Sequence, residues 1–312
     1  MMEARKYVWE GAIPLQIHLH ESEVTTLPPP LPALILAPRI GYLPLLVPHI
    51  KPHFSSTLPP GIDTVWFDYK GLPLKWYIPT GILFDLLCAE PERPWNLTVH
   101  FRGYPGNILI PCEGEDSVKW SFINSLKEAA YIINGNCKSV MNMSQPDQVE
   151  LWRSVINAGN LEAYIRVSSK LKLGTVGDEY AADLYSSSLN SRQSIGDTDS
   201  TGQVKTGKCF TLLDAVKSLL PEYFPYKSLN NEESSREEDK DEEKVPSENL
   251  SEHVESCYSS DDAEVKLVRI QGIEPKLEIP FSWVVNNLVN PEHFLHLCVC
   301  LKLPQVKIPS DT

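Results

Sequence analysis

Polar and apolar residues alternate along Ala12–His20 (AIPLQIHLH), the pattern of a strand with one face buried. Ala33–Arg39 (ALILAPR) reads as its hairpin partner. The spacing then becomes helical over residues 40–54 (IGYLPLLVPHIKPHF). Pro44, Pro48 and Pro52 remove intrahelical hydrogen bonds there, so a kinked or partly irregular element is expected. The link between the strands, EVTTLPPPLP, reads as a surface loop leaning to polyproline conformation.

A repeat follows. Residues 64–102 and 265–303 share one order of elements. In each, a strand runs to a glycine, Gly71 or Gly272, and an Ile-Pro pair ends at Pro79 or Pro280, eight residues on in both copies. Proline fits the first turn of a helix, where its missing N–H is not needed. A short apolar helix is expected next, with Leu83, Phe84 and Leu87 in one copy and Trp283, Val284 and Leu288 in the other. A last strand ends each copy, WNLTVHF (95–101) and FLHLCVC (294–300). Strand, turn, strand, short helix, strand is the latter half of a small α+β roll. The first copy also has the earlier half, a hairpin and a longer helix. Ahead of the second copy the long helix is clear in FTLLDAVKSLLPEYF (210–224), with Thr211 as its N-cap. The hairpin is not, so this copy is expected to be incomplete.

Helices are predicted between the copies. The first covers 116–135, with Asp116 or Ser117 at its start and Gly135 near its end. The second covers 145–173 with a break at NAGN. The expected organisation is α+β: an N-terminal segment (1–11), a first roll (12–104), a helix-rich domain (115–173), a linker (174–208) and a second roll (209–304).

Composition changes this picture at one place. Residues 231–264 carry fourteen acidic and three basic residues, so all but −2 of the net charge of −13 lies there. The stretch 230–264 is therefore read as a disordered acidic insert in the second roll. The remainder is near neutral without a basic stripe, which argues against nucleic acid as a partner. No run reaches the roughly 18 apolar residues of a membrane span, and the start lacks the apolar stretch of a signal peptide. A cytoplasmic protein is expected, with its seven cysteines reduced and the sequons at Asn96 and Asn142 unused.

Candidate chemistry is sparse. His293, His296, Cys298 and Cys300 invite a metal reading, but no second ligand pair of zinc-site spacing accompanies them, and core packing is preferred. His18 and His20 beside Glu21 are read the same way. No GxSxG, HExxH, P-loop or dinucleotide glycine pattern occurs. A thiol hydrolase is a remote reading. No catalytic residue, cofactor or metal is expected, so the protein reads as a scaffold and not an enzyme. One residue stands out in SFINSLKEAAYIING (121–135). Phe122, Leu126, Ala130 and Ile133 form an apolar line, while Lys127 sits among Trp120, Ile123, Ala130 and Tyr131 instead of on a polar face.

The chain resembles the autophagy protein 5 family. The resemblance runs through VWEGAIPLQIHL, LLVPHI, VWFDYKGLPLKWYIPTGILFDLL, PWNLTVHF and VRIQGIEPKLEIPFSWVVNNLVNPEHFLHLCVCLK, in that order. It implies two ubiquitin-like (β-grasp) modules flanking a helix-rich domain, which identifies the repeat. By the same resemblance Lys127, in FINSLKEAAYI, is the isopeptide acceptor for the ubiquitin-like autophagy protein 12. The implied partners are the activating and carrier enzymes, autophagy proteins 7 and 10, and autophagy protein 16. The conjugate is expected to act like a ligase, promoting transfer of autophagy protein 8 to phosphatidylethanolamine. Contact with the isolation membrane would be peripheral. A ubiquitin-like adaptor that is never conjugated stays open as the alternative.

Overall fold

The structure is a computed structural model and describes residues 2–61, 63–156, 160–174, 209–224 and 264–302. The first module holds five strands: β1 (Ala12–Leu19), β2 (Ala33–Pro38), β3 (Trp66–Tyr69), β4 (Leu72–Pro73) and β5 (Trp95–His100). They lie in the order β2-β1-β5-β3-β4, with β1 and β5 parallel and the other neighbours antiparallel. A parallel central pair flanked by antiparallel strands is the β-grasp arrangement. The alternation in β1 sends Ile13, Leu15, Ile17 and Leu19 to one buried face. They meet Leu97 and Val99 of β5 and, from the helical layer, Ile50 and Phe54 of α2 (Val47–Phe54).

The prolines act as their chemistry requires. The segment after β2 divides into a 3₁₀ turn, Leu43–Leu46, and α2, with Pro44 and Pro48 in the respective opening positions and Pro52 inside α2. One detail differs from expectation. Pro79 and Pro280 stand at the N-cap, just before α3 (Thr80–Leu87) and its counterpart Phe281–Leu288, not within the first turn. Their extended ψ of 141° and 128° turns the chain from the preceding segment into each helix. The repeat extends to the backbone: Lys70-Gly71 and Gln271-Gly272 both take positive φ, 52° and 81° in one, 52° and 77° in the other.

The middle domain contains α4 (Glu115–Asn134), α5 (Lys138–Met141), α6 (Gln145–Ile156) and α7 (Leu161–Ser168). Asn160 caps α7 by accepting from the Ala163 N–H at 2.9 Å. Val118, Phe122, Leu126 and Ala130 of α4 pack against Leu151, Val155, Tyr164 and Val167. Ile133, expected on the same line, is 49% exposed. At the last turn of α4 the facing helices no longer cover it.

In the second module α8 (Leu212–Leu219) opens with a capping box, in which Asp214 accepts from the Thr211 N–H and Thr211 from the Asp214 N–H. It is shorter than the predicted 210–224, ending before Pro221. Strand β6 (Glu264–Arg269) pairs antiparallel with β7 (Cys298–Lys302), and α9 (Phe281–Leu288) packs against them. The last strand begins at Cys298, not at Phe294. The Asn290 side chain accepts from the N–H groups of Glu292 and Phe294, at 3.1 and 2.9 Å, and curls the chain before the strand can start. The linker over 174–208 and the acidic insert over 230–264 lie, apart from their end residues Gly174 and Glu264, outside the described residues, and so does any hairpin there. Among the described residues no helix is long and apolar enough to cross a membrane.

Two polar junctions tie the three parts together. In the first, Asp85 of α3 accepts from the Arg39 guanidinium and, at 2.7 Å, from the N–H of Gly272 in the second module. Beside it, Arg269 of β6 donates to the carbonyls of Cys88 and Ala89 at 2.9 and 3.1 Å and pairs with Glu274. In the second junction, Tyr42 of the first module donates to buried Glu292 of the second, and Tyr164 of α7 donates to the Pro291 carbonyl at 3.0 Å. Helix α1 (Met2–Trp9), not expected from the residue pattern, caps this junction. Its Val8 enters the second module's core, and its Trp9 lies 4.7 Å from the Tyr164 ring.

The repeat supplies an internal comparison. A Cβ on Gly272 would stand 2.6 Å from the Arg39 Cζ, whereas one on Gly71 meets nothing within 4 Å. Both glycines have positive φ, which costs an alanine about 1 kcal/mol. Gly71→Ala is expected to lower stability by about that amount, and Gly272→Ala by about 2–4 kcal/mol, because overpacking adds to the backbone cost. Urea denaturation of both variants checks the difference.

Burial pushes the Glu292 carboxyl up to about 7, against the hydrogen bonds from Tyr42 and Asn290, which lower it. Burial likewise pushes His293 down to about 4, with the Arg5 charge adding to the effect. The neutral Glu292 is the stabilised form, so its contribution is complete below about pH 4.5 and is lost as the pH rises through about 7. His293 works oppositely: its contribution is complete above about 6.5 and falls away as the pH drops towards 4. Glu292→Gln keeps an acceptor for Tyr42 and removes only the first effect. Relative to wild type, this variant is expected to gain about 3 kcal/mol in stability between pH 4.5 and pH 8. Thermal melts across that range measure it.

Candidate functional site

Helix α4 is fixed by its buried line and by both ends. Glu115 and Asp116 lie in its first turn, where the helix dipole favours negative charge. The helix starts after Gly114, a turn edge earlier than the Asp116 or Ser117 start expected from capping preference. Ser117 serves the end differently, its hydroxyl accepting from the Glu113 N–H at 2.9 Å. Glu115 also accepts from the Trp152 indole of α6 at 2.9 Å, which fastens α4 to the next helix. At the other end the Gly135 N–H closes on the Tyr131 carbonyl at 2.8 Å.

Lys127 stands on the border between the buried line and solvent, and is half-buried. Its neighbours one turn away are Ile123, Asn124, Ala130 and Tyr131. Ile123 and Ala130 are buried beneath it, while Trp120 and Tyr131 are 62% and 64% exposed. The apolar collar read from the sequence is therefore split, two members forming the floor and two aromatic rings standing in water. The Lys127 Nζ donates to Asn124 Oδ1 at 3.3 Å. Among the described residues no carboxylate lies within ion-pairing distance of it.

This arrangement has definite chemical capacity. A packed stem restrains the lysine's rotamers, and a neutral amide partner holds the amine without the electrostatic cost of separating an ion pair. Once deprotonated, such an amine is a nucleophile open to an electrophile brought by another protein. Asn124 was not singled out in the sequence, although its position three residues before the lysine on one helix was the available signal. The histidines and cysteines of 293–300 do not gather: Tyr164 takes the His293 ring at 3.3 Å, and Cys298 lies in the core. Among the described residues no three His, Cys, Asp or Glu side chains are grouped to hold a metal ion.

Comparison with known proteins gives a consistent answer along the chain. The family description "Autophagy protein ATG5, UblA domain" matches residues 8–101, "alpha-helical bundle region" residues 115–174, and "UblB domain" residues 184–299. The third match begins within the stretch assigned to a linker from composition. Autophagy protein 5 of Arabidopsis thaliana is 57% identical over 347 aligned positions, covering 97% of this chain and 99% of that protein. That length exceeds the 312 residues here, so the Arabidopsis protein has residues with no counterpart in this chain. The Oryza sativa subsp. indica protein of the same name is 51% identical, covering 95% and 93%. Among solved structures, "Crystal structure of Kluyveromyces marxianus Atg5" matches with a TM-score of 0.64 at 22% identity, covering 95% of this chain and 99% of that one. With its two ubiquitin-like modules around a helical bundle, the chain belongs to the autophagy protein 5 family and acts in autophagy.

Proposed function

We propose that Lys127 is the acceptor through which this protein is joined by an isopeptide bond to autophagy protein 12. The observation that carries the reading is an amine held on a rigid helix, free of carboxylate partners among the described residues, in the lysine-glutamate-alanine context. Activation by autophagy protein 7 and transfer to autophagy protein 10 would deliver the partner's C-terminal carbonyl as a thioester. The unprotonated amine attacks that carbonyl carbon. A C–N bond forms, the C–S bond breaks, and the carrier's thiolate leaves and takes up the proton the nitrogen loses. The acceptor needs no acid or base of its own if the carrier supplies proton transfer. What this chain contributes is position: a near-attack geometry set by the packed stem and the Asn124 contact.

In this reading the conjugate joins autophagy protein 16 and promotes transfer of autophagy protein 8 to phosphatidylethanolamine. The role is ligase-like, exercised from the cytoplasm by recruitment to the isolation membrane through peripheral contact. Alternatively, a ubiquitin-like adaptor would bind partners without conjugation and would tolerate loss of the amine.

The two readings separate on a denaturing gel after incubation with ATP, autophagy proteins 7 and 10, and autophagy protein 12. Wild type is expected to give a covalent band that Lys127→Arg abolishes, since arginine keeps the charge but forms no isopeptide bond. A band of equal strength in both moves the acceptor elsewhere. Asn124→Ala is expected to slow conjugation by about tenfold while leaving the end point unchanged, a rise of roughly 1.4 kcal/mol in the barrier. A time course measures it.

A further inference from the structure

Among the described residues, strand β2 is the outer strand of the five-stranded sheet and no strand pairs with its outward side. Its register with β1 pairs Pro14 with Leu36 and Gln16 with Leu34. The His20 N–H reaches the Val99 carbonyl of β5, at 3.1 Å, so the even-numbered backbone groups of β1 face β5 and the odd-numbered ones face β2. It follows that Ala33, Ile35 and Ala37 bond to β1, while the N–H and C=O groups of Leu34 and Leu36 point outward from the sheet's edge. Proteins ordinarily blunt such an edge with charge, proline or a covering segment. Here prolines stand only at the two ends, Pro32 and Pro38; Ala33–Ala37 between them contains neither a proline nor a charged residue, and Leu34 and Leu36 are 73% and 68% exposed.

Two further observations say what fits. A cleft of about 230 Å³ opens beside the strand, between Ile35 and Ala37 on one side and Tyr42, Leu45, Leu46 and His49 on the other. Added strands place alternate side chains on opposite faces, so one set would enter this cleft and the other would lie over Leu34 and Leu36. The charge is also one-sided. In a chain of net charge −13, residues 24–62 hold no acidic side chain, and α2 carries His49, Lys51 and His53. The carboxylate that reaches Lys51, Asp63 at 2.5 Å, is shared with Arg102 at 2.6 Å, leaving that group net positive.

We propose that the open edge of β2 receives an extended peptide of a partner protein as an added strand, with apolar residues at alternate positions and acidic residues flanking them. This goes beyond the acceptor reading and does not depend on Lys127. It would give the protein a place to gather partners while the conjugation site is occupied.

The test uses the full chain and three fluorescent synthetic peptides that share the core Val-Thr-Val-Ile-Val-Thr and differ in acidic, neutral or basic flanks. Fluorescence anisotropy is expected to show saturable binding of the acidic peptide, about tenfold tighter than the basic one and weakened by added salt. Hydrogen exchange is expected to slow at Leu34 and Leu36 on binding. Leu36→Pro removes an outward N–H without touching the bonds to β1, and Leu34→Asp puts like charge on an exposed position. Each is expected to weaken the acidic peptide at least about tenfold. The second variant keeps the test open if the proline disturbs folding. The proposal is overturned by absence of saturable binding, by equal affinity for the three peptides, or by affinity unchanged in both variants. It is equally overturned if wild type sediments as a dimer that Leu36→Pro dissolves, since the occupant is then a second copy of this chain.

Discussion

Asp85 accepts hydrogen bonds from two modules with one carboxylate oxygen, and the relative placement of those modules depends on it. The carboxylate and the Arg39 guanidinium are both buried. A buried pair is expensive to desolvate, so its value lies less in net stability than in the arrangement it enforces. Removing one partner would leave an uncompensated charge, which costs about 3–5 kcal/mol. The third member, the Gly272 N–H, is available only because the turn bears no side chain that would collide with Arg39. The clamp thus converts a small turn residue, repeated from the first module, into a docking point for the second.

The other junction does the same from a different side. Tyr42, Tyr164, Trp9 and Glu292 bring the first module, the bundle, the N-terminal helix and the second module to one place. Below about pH 7 the Glu292 carboxyl is mainly neutral, which lowers the cost of burying it there. The consequence for function is indirect but physical. For the acceptor role proposed for Lys127 the amine needs a fixed frame, and α4 draws its rigidity from a core that includes Trp9, Ile40, Tyr42 and Trp76 as well as the bundle's own helices. Lys127 is accordingly presented by the whole assembly, not by the bundle alone.

Much of the fold could be read from pattern. Alternation marked β1, prolines marked where the helical segment after β2 would break, and the recurrence of glycine and Ile-Pro at one spacing exposed the repeat. Helix α1 could not be read, because its buried residues Val8 and Trp9 are adjacent and serve two different cores, so they leave no helical period. The start of β7 was misplaced for a related reason: Phe294–Leu297 is as apolar as a strand, but the hydrogen bond from the Phe294 N–H to the Asn290 side chain overrides its preference. The Tyr42–Glu292 contact spans 250 positions and has no local signature. At the candidate site, helical spacing placed Lys127 correctly beside Ile123 and Tyr131. That spacing said nothing of which neighbour would face water, since Trp120 and Ile123 are equally apolar in a sequence and opposite in the fold. The acceptor role proposed for Lys127 was never legible in the spacing and entered through family resemblance.

Joined by the polar junctions, the modules and the bundle are expected to unfold as one cooperative body. Native-state hydrogen exchange followed by mass spectrometry in increasing urea tests it on Ile13–Leu19, Val118–Ala130 and Val284–Leu288, one buried segment from each part. The slowest amides of all three segments are expected to open with the same free energy and the same dependence on urea. Opening of Val284–Leu288 at distinctly lower urea, with the other two segments still protected, would contradict it.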